Sequence, residues 1–152
     1  MLAHFPVDAA SAFTSNVRDT VSQVVERVEL VAAAPGGGAA RTTGGTISVL
    51  PSRFSVDVDA DQGFLGVDFR GRATLTANVT VDGPGGNATF AVEGTGTGSG
   101  RNSLIGDCDT IATVGGQAVQ AALADLATNL RTQLAQTPQL RPAGAPRRGA
   151  RR

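Results

Sequence analysis

Apolar residues recur at helical spacing near the start of the chain. Phe13, Val17, Val21, Val24 and Val28 line one face of residues 10–28, and Asn16, Arg18, Asp19, Gln23, Glu26 and Arg27 fill the other. The spacing predicts an amphipathic helix, with Ser11 as its cap. The valines are β-branched and lower helix propensity, so this helix needs a sheet to lie on. Val28 to Val31 predicts a short strand. Pro35-Gly36-Gly37-Gly38 then breaks the chain and begins a loop to about Gly45.

The period then changes to two. Ile47 and Val49 alternate with polar neighbours, Pro51 kinks or bulges the strand, and Phe54, Val56 and Val58 alternate with Ser55, Asp57 and Asp59. A turn is expected at Ala60-Asp61-Gln62-Gly63. From Val67 to Val81 the odd positions are Val, Phe, Gly, Ala, Leu, Ala, Val and Val, and the even ones are Asp, Arg, Arg, Thr, Thr, Asn and Thr. One face of this strand is buried and the other wet. Asp82 to Asn87 is a hairpin loop, and Ala88, Phe90, Val92 and Gly94 carry the inward face of the returning strand. The three runs predict an antiparallel meander.

Gly94 to Gly100 reads Gly-Thr-Gly-Thr-Gly-Ser-Gly. Such a stretch lets a strand pass close to something or fray into a loop, here expected to run to about Asp107. Ile111 to Leu134 predicts the longest helix, with Val119, Leu123, Leu126, Leu130 and Leu134 on one face. Alanines at 118, 121, 122, 124 and 127 permit close packing. Gly115-Gly116 interrupts its first turns, and Pro138 and Pro142 end it. A half-wet sheet and two amphipathic helices make an α+β two-layer sandwich: an antiparallel meander sheet of three to five strands with both helices on one face. The division is a segment at 1–9, a candidate short edge strand with Pro6, then a single domain at 10–136 and a disordered tail at 137–152.

Composition narrows the chemistry. The chain has 152 residues, a formal net charge of zero, one histidine, one cysteine and no tyrosine, tryptophan or lysine. A lone Cys108 excludes an internal disulfide and a multi-cysteine zinc site. No apolar run is long enough for a membrane-spanning helix. The zero charge hides an asymmetry. Residues 141–152 carry five arginines and no acid, whereas residues 1–140 carry eight arginines against thirteen carboxylates. A basic tail can meet nucleic acid or anionic lipid, but without aromatics this one reads as a solubilising end, and no nucleic-acid partner is expected.

Candidate sites fare similarly. Asp57, Asp59, Asp61 and Asp68 match loop positions 1, 3, 5 and 12 of a calcium hand. Gln62 stands where glycine is needed, Asp68 replaces the bidentate glutamate and the flanks are strands, so the wet face of a strand is the simpler reading. The glycine run lacks the GxGxxG spacing and no lysine is available for a phosphate loop. His4 lies far from any nucleophile motif. Cys108, between Asp107 and Asp109, reads as a small residue at a helix start with the carboxylates as caps. Asn78-Val79-Thr80 and Asn87-Ala88-Thr89 fit the glycosylation tripeptide, which is common by chance. No enzyme, cofactor or metal is expected. The candidate interaction face is Arg70, Arg72, Thr74, Thr76 and Asn78, with the open sheet edges as further docking places. The alternative is an apolar ligand such as a lipid, held between sheet and helices where Gly71, Ala73, Ala77, Gly94 and Gly96 leave space.

Four stretches carry a resemblance: the helix end Val24-Val25-Glu26-Arg27-Val28-Glu29-Leu30-Val31, the run Ile47 to Asp59, the span Gly71 to Gly98 with its Val81-Asp82-Gly83-Pro84-Gly85-Gly86 hairpin, and the helix Ala118 to Leu134. Over about residues 12–135 the chain resembles small bacterial envelope lipoproteins of the YajG type and the LPS-assembly lipoprotein. The resemblance implies a non-enzymatic domain on the periplasmic side of an outer membrane, with a protein partner in a larger envelope assembly. The start at Met1 shows neither a signal peptide nor a lipid-bearing cysteine. Membrane association is therefore expected only through an anchor in a longer precursor. The expected location is periplasmic or outer-membrane-associated by resemblance, and cytoplasmic if Met1 is the true start.

Overall fold

The computed structural model describes residues 9–24, 29–31, 38–42, 45–102 and 108–140. Helix α1 (Ala9–Val24) is followed by β1 (Glu29–Val31), β2 (Gly38–Thr42), β3 (Gly45–Gly63), β4 (Gly66–Gly83), β5 (Gly86–Asn102), helix α2 (Cys108–Gln136) and a 3-10 turn, Pro138–Leu140. The strands form one antiparallel meander in chain order, β1-β2-β3-β4-β5. Both helices share its apolar side. This is the α+β sandwich that the two periods imply.

The period of two along β4 has its physical cause in the core. Phe69, Ala73, Leu75, Ala77, Val79 and Val81 are buried, and so are Val92 of β5 and Ile47 and Val49 of β3. Phe13, Val17 and Val21 of α1 and Ala118, Ala122, Leu126, Leu130 and Leu134 of α2 complete the same cluster. Val28 lies outside the described residues. On β3 the buried parity is odd at Ile47 and Val49 but even at Val56. A bulge between Pro51 and Arg53 inserts the extra residue that keeps both halves facing the helices.

Several boundaries differ from the sequence reading, each for a local reason. Helix α1 begins at Ala9, so Ser11 sits inside its first turn and not at its cap. Gly38–Thr42 is a strand rather than loop, since it pairs with Gly45–Val49; its small residues show no alternation to betray it. Asp61 and Gln62 pair with Asp68 and Val67, so the turn falls later, at Phe64-Leu65. Both long hairpins close alike, on Gly63–Gly66 and Gly83–Gly86, and the second glycine of each adopts positive φ. Helix α2 runs unbroken through Gly115-Gly116, because Gly116 faces open space and Gly115 faces only the valines of β3. Beyond α2, Thr137 is buried and its hydroxyl donates to the Gln133 carbonyl at 2.7 Å. The Gly85 N–H donates to the Gln139 carbonyl at 3.3 Å. The described chain thus extends to Leu140, beyond the end of α2.

The glycine run does not fray. β5 continues to Asn102, and α2 lies directly on it. A Cβ at Gly94 would strike the backbone of Ala122 and Leu126. One at Gly96 would strike that of Ala118 and Ala122, and one at Gly98 the Val114 carbonyl. Strand and helix therefore meet backbone to backbone, with alanine as the largest side chain between them at 118 and 122. Gly96→Ala should destabilise the fold by about 3 kcal/mol through overpacking, whereas Gly116→Ala should stabilise it by about 0.5–1 kcal/mol through helix propensity. Urea unfolding of the two variants measures both; equal effects would contradict the interface.

Candidate interaction surface

The open side of the sheet carries the residues singled out from the sequence. Arg70, Arg72 and Asn78 are exposed on β4, with Thr74 and Thr76 half-buried between them. Their cross-strand neighbours complete the face. Asp57 stands opposite Arg72 and Asp59 opposite Arg70 on β3, while Thr97 and Ser99 stand opposite the same arginines on β5. Asp57, Asp59 and Asp61 project at alternate positions of an extended strand, which is not the converging loop that a calcium hand needs. The shallow polar depression here is lined by Asp57, Asp59, Arg70, Arg72, Thr97 and Ser99, with both signs of charge side by side. Among the described residues no group of three metal-ligating side chains comes together.

Farther along, Arg101 Nε donates to Asp68 Oδ1 at 2.7 Å and Arg101 Nη2 to Asp68 Oδ2 at 3.0 Å. These hydrogen bonds hold the Asp68 carboxyl below its ordinary range; desolvation opposes them, and the charges of Arg101 and Arg70 add to the lowering. The Arg101 guanidinium is pushed up by the same pair. Both groups are exposed, so the bridge is screened and contributes little to stability.

The space proposed for an apolar ligand is filled. Gly94 and Gly96 touch α2, Gly71 faces Val114, and Ala73 and Ala77 are buried beneath the helices. Cys108 is exposed as the first residue of α2. His4, Asp107 and residues 141–152 lie outside the described residues.

The two long sheet edges differ, and the sequence did not single out the residues that make the difference. On β5, side chains of α2 cap part of the edge: the Thr95 N–H donates to Asp125 Oδ2 at 2.9 Å, and Asn129 Nδ2 donates to the Glu93 carbonyl at 2.8 Å. Outward-facing backbone groups of an edge strand are a template for another chain, and these two side chains occupy two of them. On β3, β2 pairs only as far as Val49. From Pro51 to Gly63 no described strand lies outside β3. Phe54, 48% exposed, with half-buried Val56 and Val58, faces the helix side of that open edge. At its end, Phe64 and Leu65 are 103% and 83% exposed. Large exposed apolar residues at a strand edge are informative in a way that single exposed leucines are not. The clue in the sequence was the recurrence of Gly-x-x-Gly, filled by Pro-Gly at 83–86 but by Phe-Leu at 63–66.

No family model matches the chain, and no curated protein matches it. The surface must therefore be interpreted from its own chemistry.

Asp125→Ala with Asn129→Ala should cost about 1 kcal/mol for each hydrogen bond lost and, by unsealing β5, should raise self-association in sedimentation; an unchanged sedimentation profile would show that the helix backbone alone blocks the edge. A folded-state carboxyl pKa below the unfolded one contributes stability above the ordinary carboxylate range and loses it as pH falls through the lowered value. Arg101→Ala should accordingly move the Asp68 carboxyl titration, followed by NMR, to higher pH.

Proposed function

We propose that this chain is a non-catalytic protein-interaction domain that engages its partner by strand addition at the β3 edge. The observation that carries this reading is the contrast between the two edges. Asp125 and Asn129 cap two outward backbone groups of β5, whereas from Pro51 to Gly63 no described strand pairs with the outer side of β3, beside Phe54, Val56 and Val58. A free edge supplies main-chain hydrogen bonds to an extended segment, and the pockets beside it read alternate side chains. The Phe64-Leu65 tip prolongs the same edge with apolar surface. Placement in a bacterial envelope assembly, in the manner of the small lipoproteins it resembles, is part of the proposal and stands on that resemblance alone.

A photo-crosslinking residue at Val58 tests the edge, and one at Asn78 tests the open face with Arg70, Arg72, Thr74 and Thr76. In envelope extracts the residue at 58 should give a protein adduct and that at 78 should not. Adducts from 78 alone would move the contact to the open face. Adducts from neither would refute the interaction role.

A further inference from the structure

We infer that the segment recognised at the β3 edge is a basic amphipathic strand, with arginine or lysine at alternate positions and apolar residues between them. This inference rests on the strand-addition reading and specifies its partner.

The edge offers two unlike rows. On the helix side stand Phe54, Val56 and Val58, continuous with the apolar patch of Val67, Phe69, Ile111 and Val114. On the open side stand Asp57, Asp59 and Asp61, all exposed. Asp57 and Asp59 already have Arg72 and Arg70 on their inner flank, so their outer flank is where a further strand would lie. Side chains directly opposite across a ladder attract when oppositely charged and repel when alike. The open-side row begins with Arg53 and Ser55, so a strand laid along residues 57–62 meets three carboxylates with one set of its side chains and the apolar row with the other.

A second copy of the chain fits this edge poorly. A two-fold pairing centred on Asp57 sets that carboxylate against its own copy. Centring on Val58 sets Asp57 against Asp59. Centring on Val56 sets Asp59 against Arg53 but brings Gly63 to the place opposite Val49 that Gly38 of β2 already holds. The carboxylates at 57, 59 and 61 select a basic strand, and we assign it to another protein.

The test uses the full chain and three blocked octapeptides: alternating Arg-Val, Glu-Val and Ser-Val. Binding is measured by titration, and its site by amide hydrogen exchange. The Arg-Val peptide should bind about tenfold tighter than the Glu-Val peptide, weaken as salt rises, and protect amides within 53–63. Asp57→Arg/Asp59→Arg/Asp61→Arg, all at exposed positions, should reverse the order of the two charged peptides. Should that variant fail to fold, the comparison on the unaltered chain decides alone. Equal protection of 53–63 by all three peptides would overturn the basic-strand assignment while leaving strand addition standing. Failure of every peptide to protect 53–63 would overturn both. Because alternate amides of 53–63 are bonded to β4, only the outward-facing ones are diagnostic; their protection in the free chain would overturn the inference too, assigning the edge to another segment of this chain if independent of concentration and to a second copy if rising with it.

Discussion

The contact between β5 and α2 governs the rest of the molecule. Over residues 94–98, Gly94, Gly96 and Gly98 remove the side chains from the helix-facing side of the strand, and Ala118 and Ala122 remove nearly all of theirs from the helix. The helix therefore sinks onto the strand backbone. Close-packed interiors tolerate little error, so this track fixes both the height and the direction of α2. From that position Leu126, Leu130 and Leu134 reach the core shared with α1, and Asp125 and Asn129 reach the backbone of Thr95 and Glu93. One interface thus builds the core and seals an edge.

Its consequence is asymmetry. A helix seated on β5 cannot also cover the far half of β3, and α1 packs chiefly on α2 and β2 near the other end. Phe54, Val56 and Val58 are left at the border of the core rather than inside it. The bulge at Pro51–Arg53 turns these residues to the helix side after β2 has ended. Proline is compatible with that place because no described strand lies beyond it to need its missing N–H. The long β3–β4 hairpin then carries its apolar tip well past the helices. Side chains of α2 cap two backbone groups on one long edge, while no described strand pairs with the other beyond Val49.

The architecture was legible because it depends on patterns that span many residues. Alternation from Val67 to Val81 and the leucine stripe of α2 name their elements without help, and Pro51 announced an irregularity at the bulge. Short or featureless pieces were not legible. β2 is built of Gly, Ala, Ala, Arg and Thr and exists as a strand only because β3 pairs with it. Gly94 to Gly100 has low strand propensity, yet it stays extended because β4 pairs with it on one side and α2 presses on it from above. The open face of Arg70, Arg72, Thr74, Thr76 and Asn78 followed from parity alone. The Asp125 and Asn129 seal did not, since it joins residues about thirty positions apart.

By itself, then, the order of residues determined which positions are apolar, which period each stretch obeys, and hence a meander sheet with two helices on one side. Those are local properties, carried by neighbours two to four positions apart. Tertiary structure decided which edge is closed, where the hairpin tip falls, and that the glycine track is a seat for a helix rather than a loop or a ligand site. Each of those depends on groups brought together across the sheet, where hydrogen bonds and steric fit act only once the chain has folded.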